Sequence, residues 1–181
     1  MNNGHETIVV CGMNHSGTSC VAEYLINNGA SPGVFDDSVN EVTPYVKYEN
    51  VLFKNCCIKL ARINGLQSPD DSVARFKSFI DTYKGNKPLM MKYPKSVYCL
   101  NPLKDIIGAN RMKVVFVMRN TIDAVESNMR KSKADAQQMF GYYYSTYKAL
   151  LAYDGNVFIT TFERIRAGMD TSLLLGYCGL N

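Results

Sequence analysis

Between Gly12 and Ser19 the chain reads Gly-Met-Asn-His-Ser-Gly-Thr-Ser, two glycines five positions apart with a hydroxyl pair at the end. A G-x-x-x-x-G turn that follows a strand and opens a helix aims backbone N–H groups at one point. The helix dipole adds partial positive charge there. Asn14, His15, Ser16, Gly17, Thr18 and Ser19 are therefore a candidate cradle for an anion, and a phosphate fits best. A nucleotide P-loop has lysine before its final Ser or Thr, whereas Thr18 holds that place here. A kinase or NTPase needs that lysine, and also a Mg²⁺ ion held by an acidic strand end. The apolar runs of this chain end instead in Lys92, Arg119 and Thr161. Basic or neutral strand ends predict a ligand bound directly by cationic side chains, without a metal.

A second constellation follows the run Val114-Val115-Phe116-Val117-Met118. Arg119 ends that run, and Ser127 comes eight residues later, about two turns into the next helix. Arginine is a planar, permanently charged fork and serine a short hydroxyl donor, so the two can hold a second phosphate. The competing reading is a structural ion pair of Arg119 with Asp123 or Glu126.

Elements must bring these residues to one place. Thr7 to Cys11 is β-branched and apolar and reads as a buried strand running into the Gly-rich turn. Val21, Tyr24, Leu25 and Asn28 have helical spacing, and Gly29 stops that helix. Residues 30–44 read as a loop, and helices are predicted over about 45–62 and 70–83. Leu89-Met90-Met91-Lys92 is a second strand closed by Pro94, followed by a helix near 97–108. Lys113 to Met118 is continuously apolar after its first residue, as in a central parallel strand covered on both faces. Helices near 121–132 and 135–153, a strand at Asn156 to Thr161 and a helix near 170–178 complete the chain. Tyr142, Tyr143, Tyr144 and Tyr147 sit at helical spacing, which packing explains better than substrate stacking. Alternation of strands and helices predicts one domain over residues 1–181: a three-layer α/β/α sandwich with a mostly parallel sheet of about four to five strands. Ligands of such sheets bind at the carboxyl ends of the strands.

The bulk numbers agree with a globular binder of a small anion. In 181 residues, 46% are hydrophobic and 20% charged, and the net charge is +4, too mild and scattered for nucleic acid. No apolar run reaches the length of a membrane span. Met1 to Glu6 shows no signal-peptide pattern, so a cytoplasmic location is expected. The six cysteines form no C-x-x-C pair and there are two histidines, which disfavours zinc and predicts reduced thiols.

Together, Gly12 to Ser19 and Val114 to Met129 resemble the sulfotransferases that use 3′-phosphoadenosine 5′-phosphosulfate (PAPS), in particular the bacterial-type branch. Met91-Lys92-Tyr93-Pro94 is similar to that family's K-x-P segment. Ile159 to Ile165 is similar to its strand ending in Y-E-x-L. The resemblance implies a P-loop NTPase-like fold and a PAPS co-substrate, with no metal. It implies that the first loop cradles the 5′-phosphosulfate while Arg119 and Ser127 bind the 3′-phosphate. Lys92 would neutralise charge on the sulfuryl group or the bridging oxygen. Relatives take the acceptor's proton with a Glu or His after the first helix, which points to Glu49, with Glu41 as runner-up. The acceptor would be a small-molecule or glycan hydroxyl or amine, and no signature names it. His15 departs from the family, which places a permanent cation there; an imidazole donates one hydrogen bond, and a phosphate dianion favours its charged form. The Gly/basic segment that covers the nucleotide in many relatives has no counterpart before Asn181. A P-loop kinase or NTPase, and a degenerate protein that binds nucleotide without turnover, remain as alternatives.

Overall fold

Thr7 to Gly12 forms a strand buried along its whole length, as its unbroken apolar run requires once both faces are covered. The structure is a computed structural model that describes residues 5–33, 48–62, 66–131 and 135–180. In chain order the elements are β1 (Thr7–Gly12), α1 (Thr18–Asn27), α2 (Val51–Ala61), α3 (Ser72–Thr82), β2 (Leu89–Lys92), a 3-10 turn (Pro94–Cys99), α4 (Leu100–Ile107), β3 (Met112–Met118), α5 (Thr121–Lys131), α6 (Ala136–Leu151), β4 (Val157–Thr161), α7 (Phe162–Arg166) and α8 (Thr171–Tyr177).

Among the described residues, four strands pair in the order β2-β1-β3-β4. All neighbours are parallel, with Val10 opposite Lys92 and Val115, and Met118 opposite Thr161. Side chains alternate between two cores. Val9, Cys11, Met91, Val114 and Phe116 face α2, α3, α4 and α6, with Phe53, Phe76 and Leu103 filling the space between. Ile8, Val10, Met90, Val115 and Val117 face α1, α7 and α8, with Leu25, Ile165 and Leu174. Each such fully buried side chain stabilises the fold by about 1.5–3 kcal/mol. The protein is thus an α/β/α sandwich of three layers on a four-stranded parallel sheet.

The helix after β1 lies on one face, and α6, which follows β3, packs on the other. The change of face falls between β1 and β3, and it is at the carboxyl ends of strands at such a switch point that open α/β sheets bind ligands. Met13, Ala124, Val125 and Tyr143 form a third buried cluster, so Tyr143 packs, whereas Tyr144 is exposed.

Boundaries differ from the sequence reading at three places. The helix expected over 45–62 begins at Val51, because the extended Asn50 caps it by accepting from Phe53 N–H at 3.1 Å; residues 45–47 lie outside the described residues. The helix near 97–108 is entered through the 3-10 turn that Pro94 starts. The sequence reading did not include α7, which Thr161 caps by accepting from Arg164 N–H at 3.2 Å. Among the described residues, no helix is long and apolar enough to cross a membrane. All six cysteines are free thiols and five are buried; burial raises the Cys56 thiol to about 12.

Candidate anion-binding site

The first motif is a self-closed turn. Ser16 donates its backbone N–H to Met13 O at 3.2 Å and its hydroxyl to the same oxygen at 2.7 Å. The Ser16 hydroxyl therefore shapes the loop, and the cradle consists of the remaining groups. His15 is left-handed, with φ 61°. The two glycines are there for close approach. A Cβ on Gly12 would meet Val117 O at 2.3 Å, and one on Gly17 would meet Phe162 Cδ2 at 2.5 Å. Gly17, with φ 89°, heads α1 without a side-chain cap. The first helical bond runs from Val21 N–H to Gly17 O. The N–H groups of Thr18, Ser19 and Cys20 thus head the helix with no acceptor inside it, the arrangement that favours an anion.

Arg119 reaches this loop from β3. Its Nη1 donates to His15 O at 3.4 Å, and its guanidinium lies 5.5 Å from the Phe162 ring centroid. Among the described residues it forms no ion pair, so neither Asp123 nor Glu126 is its partner. Among the described residues, its buried Nε has no hydrogen-bond partner. Asn120 begins α5 by accepting from Ile122 N–H at 3.0 Å, and its own N–H donates to Glu163 Oε1 at 3.5 Å. Ser127 is buried on α5, 8% exposed, and no hydrogen bond links it to Arg119. Arg119, Asp123, Phe162, Glu163 and Arg166 line a cleft of about 380 Å³.

At the end of β2, Lys92 is 2% exposed and donates to Glu49 Oε1 at 3.0 Å. Lys54 Nζ stands 3.4 Å from Glu49 Oε2. Burial pushes the Lys92 ammonium below the ordinary lysine range. The Glu49 charge and hydrogen bond oppose that shift, and the Lys54 charge adds to it. Beside them, burial and then the Glu49 charge push the Tyr93 phenol up. The structure thus joins two residues that the sequence named separately, Lys92 and Glu49. Glu41 lies outside the described residues.

Two participants escaped the sequence reading. Phe162, within the Y-E-x-L-like segment, was given no role, yet it touches both motifs. Lys54 stands five residues after Glu49, a spacing that carries no helical signal because α2 begins between them.

No protein-family model and no curated protein matches this chain. Among solved structures, an uncharacterized protein from Eubacterium ventriosum ATCC 27560 is similar over 98% of this chain and 99% of its own, at 13% identity and a TM-score of 0.48.

Proposed function

We propose that this chain is a PAPS-dependent sulfotransferase with a P-loop NTPase-like fold, acting on a hydroxyl or amine of a small molecule or glycan. The observation that carries the reading is Arg119. It is a strand-end guanidinium at the switch point, beside a phosphate-type turn, with a buried and unpartnered Nε. A buried donor without an acceptor costs free energy, so an anion that supplies one is favoured there. Thr18 in the lysine position supports two separate phosphates rather than a triphosphate.

PAPS, when bound, supplies the sulfuryl group. The N–H groups of Thr18 and Ser19, their hydroxyls and His15 hold the 5′-phosphosulfate, and Arg119 with Ser127 takes the 3′-phosphate. Glu49 accepts the acceptor's proton. A proton on Glu49 neutralises it and loosens its hold on Lys92. Lys92 can then donate to the oxygen that leaves the sulfuryl group. The ion pair also supports a second reading, binding without turnover, because Lys92 is engaged by Glu49 at 3.0 Å. Equal nucleotide binding with no transfer would favour that one.

The test is Arg119→Ala, read by calorimetry. Loss of a hydrogen bond to a charged group is worth about 1.5–3 kcal/mol, so 3′,5′-diphosphoadenosine should weaken roughly tenfold to hundredfold. AMP, without the 3′-phosphate, should hardly change. Equal losses for both ligands, or tighter binding of ATP with Mg²⁺ by the wild type, would overturn the reading.

His15 gives an independent check. If its imidazolium holds the phosphosulfate, nucleotide affinity falls as pH rises through the imidazole's titration range. His15→Arg should flatten that profile, since arginine keeps its charge. The same pH dependence in the variant would remove His15 from the site.

A further inference from the structure

Phe162 is the first residue of α7 and faces both motifs at once. A Cβ on Gly17 would lie 2.5 Å from its Cδ2 and 3.0 Å from its Cβ, so Phe162 fills the space that the glycine leaves open. The Arg119 guanidinium lies 5.5 Å from the same ring, within cation–π range. Arg119 in turn reaches His15 O at 3.4 Å, which joins ring, guanidinium and loop in one closed set of contacts. The corner that carries the ring is itself fastened. Thr161 caps α7, and Glu163 accepts from Asn120 N–H at 3.5 Å, the residue next to Arg119.

We propose that Phe162 is a positioning residue that couples the two anion sites of the nucleotide. This rests on the reading of Gly12 to Ser19 and Arg119 as the two phosphate sites. A ring engages the face of a guanidinium and leaves its edge donors available, whereas a carboxylate partner would consume them. The ring thus orients Arg119 without neutralising it, whereas an ion pair with Asp123 or Glu126 would neutralise it. Because the same ring abuts Gly17, the loop and the guanidinium hold one spacing. A ligand with two phosphates at that spacing pays less to order the second site once the first is filled.

The experiment is a double-mutant cycle of Phe162→Leu with Arg119→Ala, read as dissociation constants for 3′,5′-diphosphoadenosine and AMP. Phe162→Leu alone should weaken the diphosphate about fivefold to tenfold and AMP less than about twofold. In the wild type, Arg119→Ala should cost the diphosphate roughly tenfold to hundredfold. In the Phe162→Leu background it should cost only about twofold to tenfold, so that the double variant is no weaker than Arg119→Ala alone. Phe162→Tyr, which keeps the ring, should restore the dependence on Arg119. Thermal unfolding and circular dichroism check that each variant folds. If Phe162→Leu unfolds, Phe162→Met serves the same cycle. Additive losses, or Leu and Tyr variants that behave alike, would overturn the coupling and leave the nucleotide reading intact. A wild type that binds neither ligand would overturn that reading and the coupling with it.

Discussion

Glu49→Gln should lower the unfolding free energy by about 3–5 kcal/mol at neutral pH, the usual cost of breaking a buried ion pair from one side. The variant leaves the Lys92 ammonium, 2% exposed, without its counter-ion. Lys54, whose charge already disfavours the Lys92 ammonium, then acts unopposed. Melting should drop by roughly 6–20 °C for a chain of this size. The pH dependence has a definite sign. The folded state binds the Lys92 proton more weakly than the unfolded chain, because burial lowers its pKa. Between the folded and unfolded values the unfolded state holds more protons, so stability rises with pH there. Removing Glu49 takes away the opposing influence and extends that window toward lower pH. The loss should therefore shrink as the solution becomes alkaline. The double variant with Lys92→Met should recover most of it, since an apolar side chain needs no counter-ion. A loss under about 1 kcal/mol, the range of exposed pairs, would show that water reaches Lys92 and that the pair is loosely held.

On the proposed function, Lys92→Met should cut the turnover number for sulfuryl transfer about a hundredfold to a thousandfold, or about 2.7–4 kcal/mol of transition-state stabilisation. The fold should survive better than in Glu49→Gln, because Glu49 keeps Lys54 at 3.4 Å as a partner. Affinity for 3′,5′-diphosphoadenosine, which lacks the transferring group, should stay within about threefold of the wild type. The measurement is single-turnover transfer from labelled PAPS beside calorimetry of the product nucleotide. Unchanged transfer would remove Lys92 from the chemistry. An equal fall in binding and transfer would make it a structural residue of the β2 end.

The order of elements was legible because its causes are local. Thr7 to Cys11 and Val114 to Met118 are apolar without interruption, and such runs form strands only where both faces are covered. The turn from Gly12 to Ser19 and the stop at Gly29 depend on backbone freedom that glycine carries with it. Residues within one turn also specify their own caps, as Asp135 does for α6 by accepting from Gln138 N–H at 2.8 Å. The short α7 escaped because five residues are too few to show a 3.6-residue period.

The candidate site was legible as a list of residue types and not as an arrangement. From Gly12 to Ser19 and from Arg119 to Ser127, spacing alone suggested residue types suited to an anion, which is the basis of the proposal. It left Arg119 with two nearby carboxylates as partners, and only the tertiary structure decided against them, by seating the guanidinium on Phe162 and on the carbonyl of His15. The same holds for the pairing of Lys92 with Glu49, 43 residues apart, and for the contact of Phe162 with the Gly17 position. The physical reason is common to all three. Propensity, capping and periodicity act over a few residues and are written into adjacent positions. Desolvation and ion pairing depend on which distant segments the sheet order β2-β1-β3-β4 brings to one edge, and no local spacing encodes that distance.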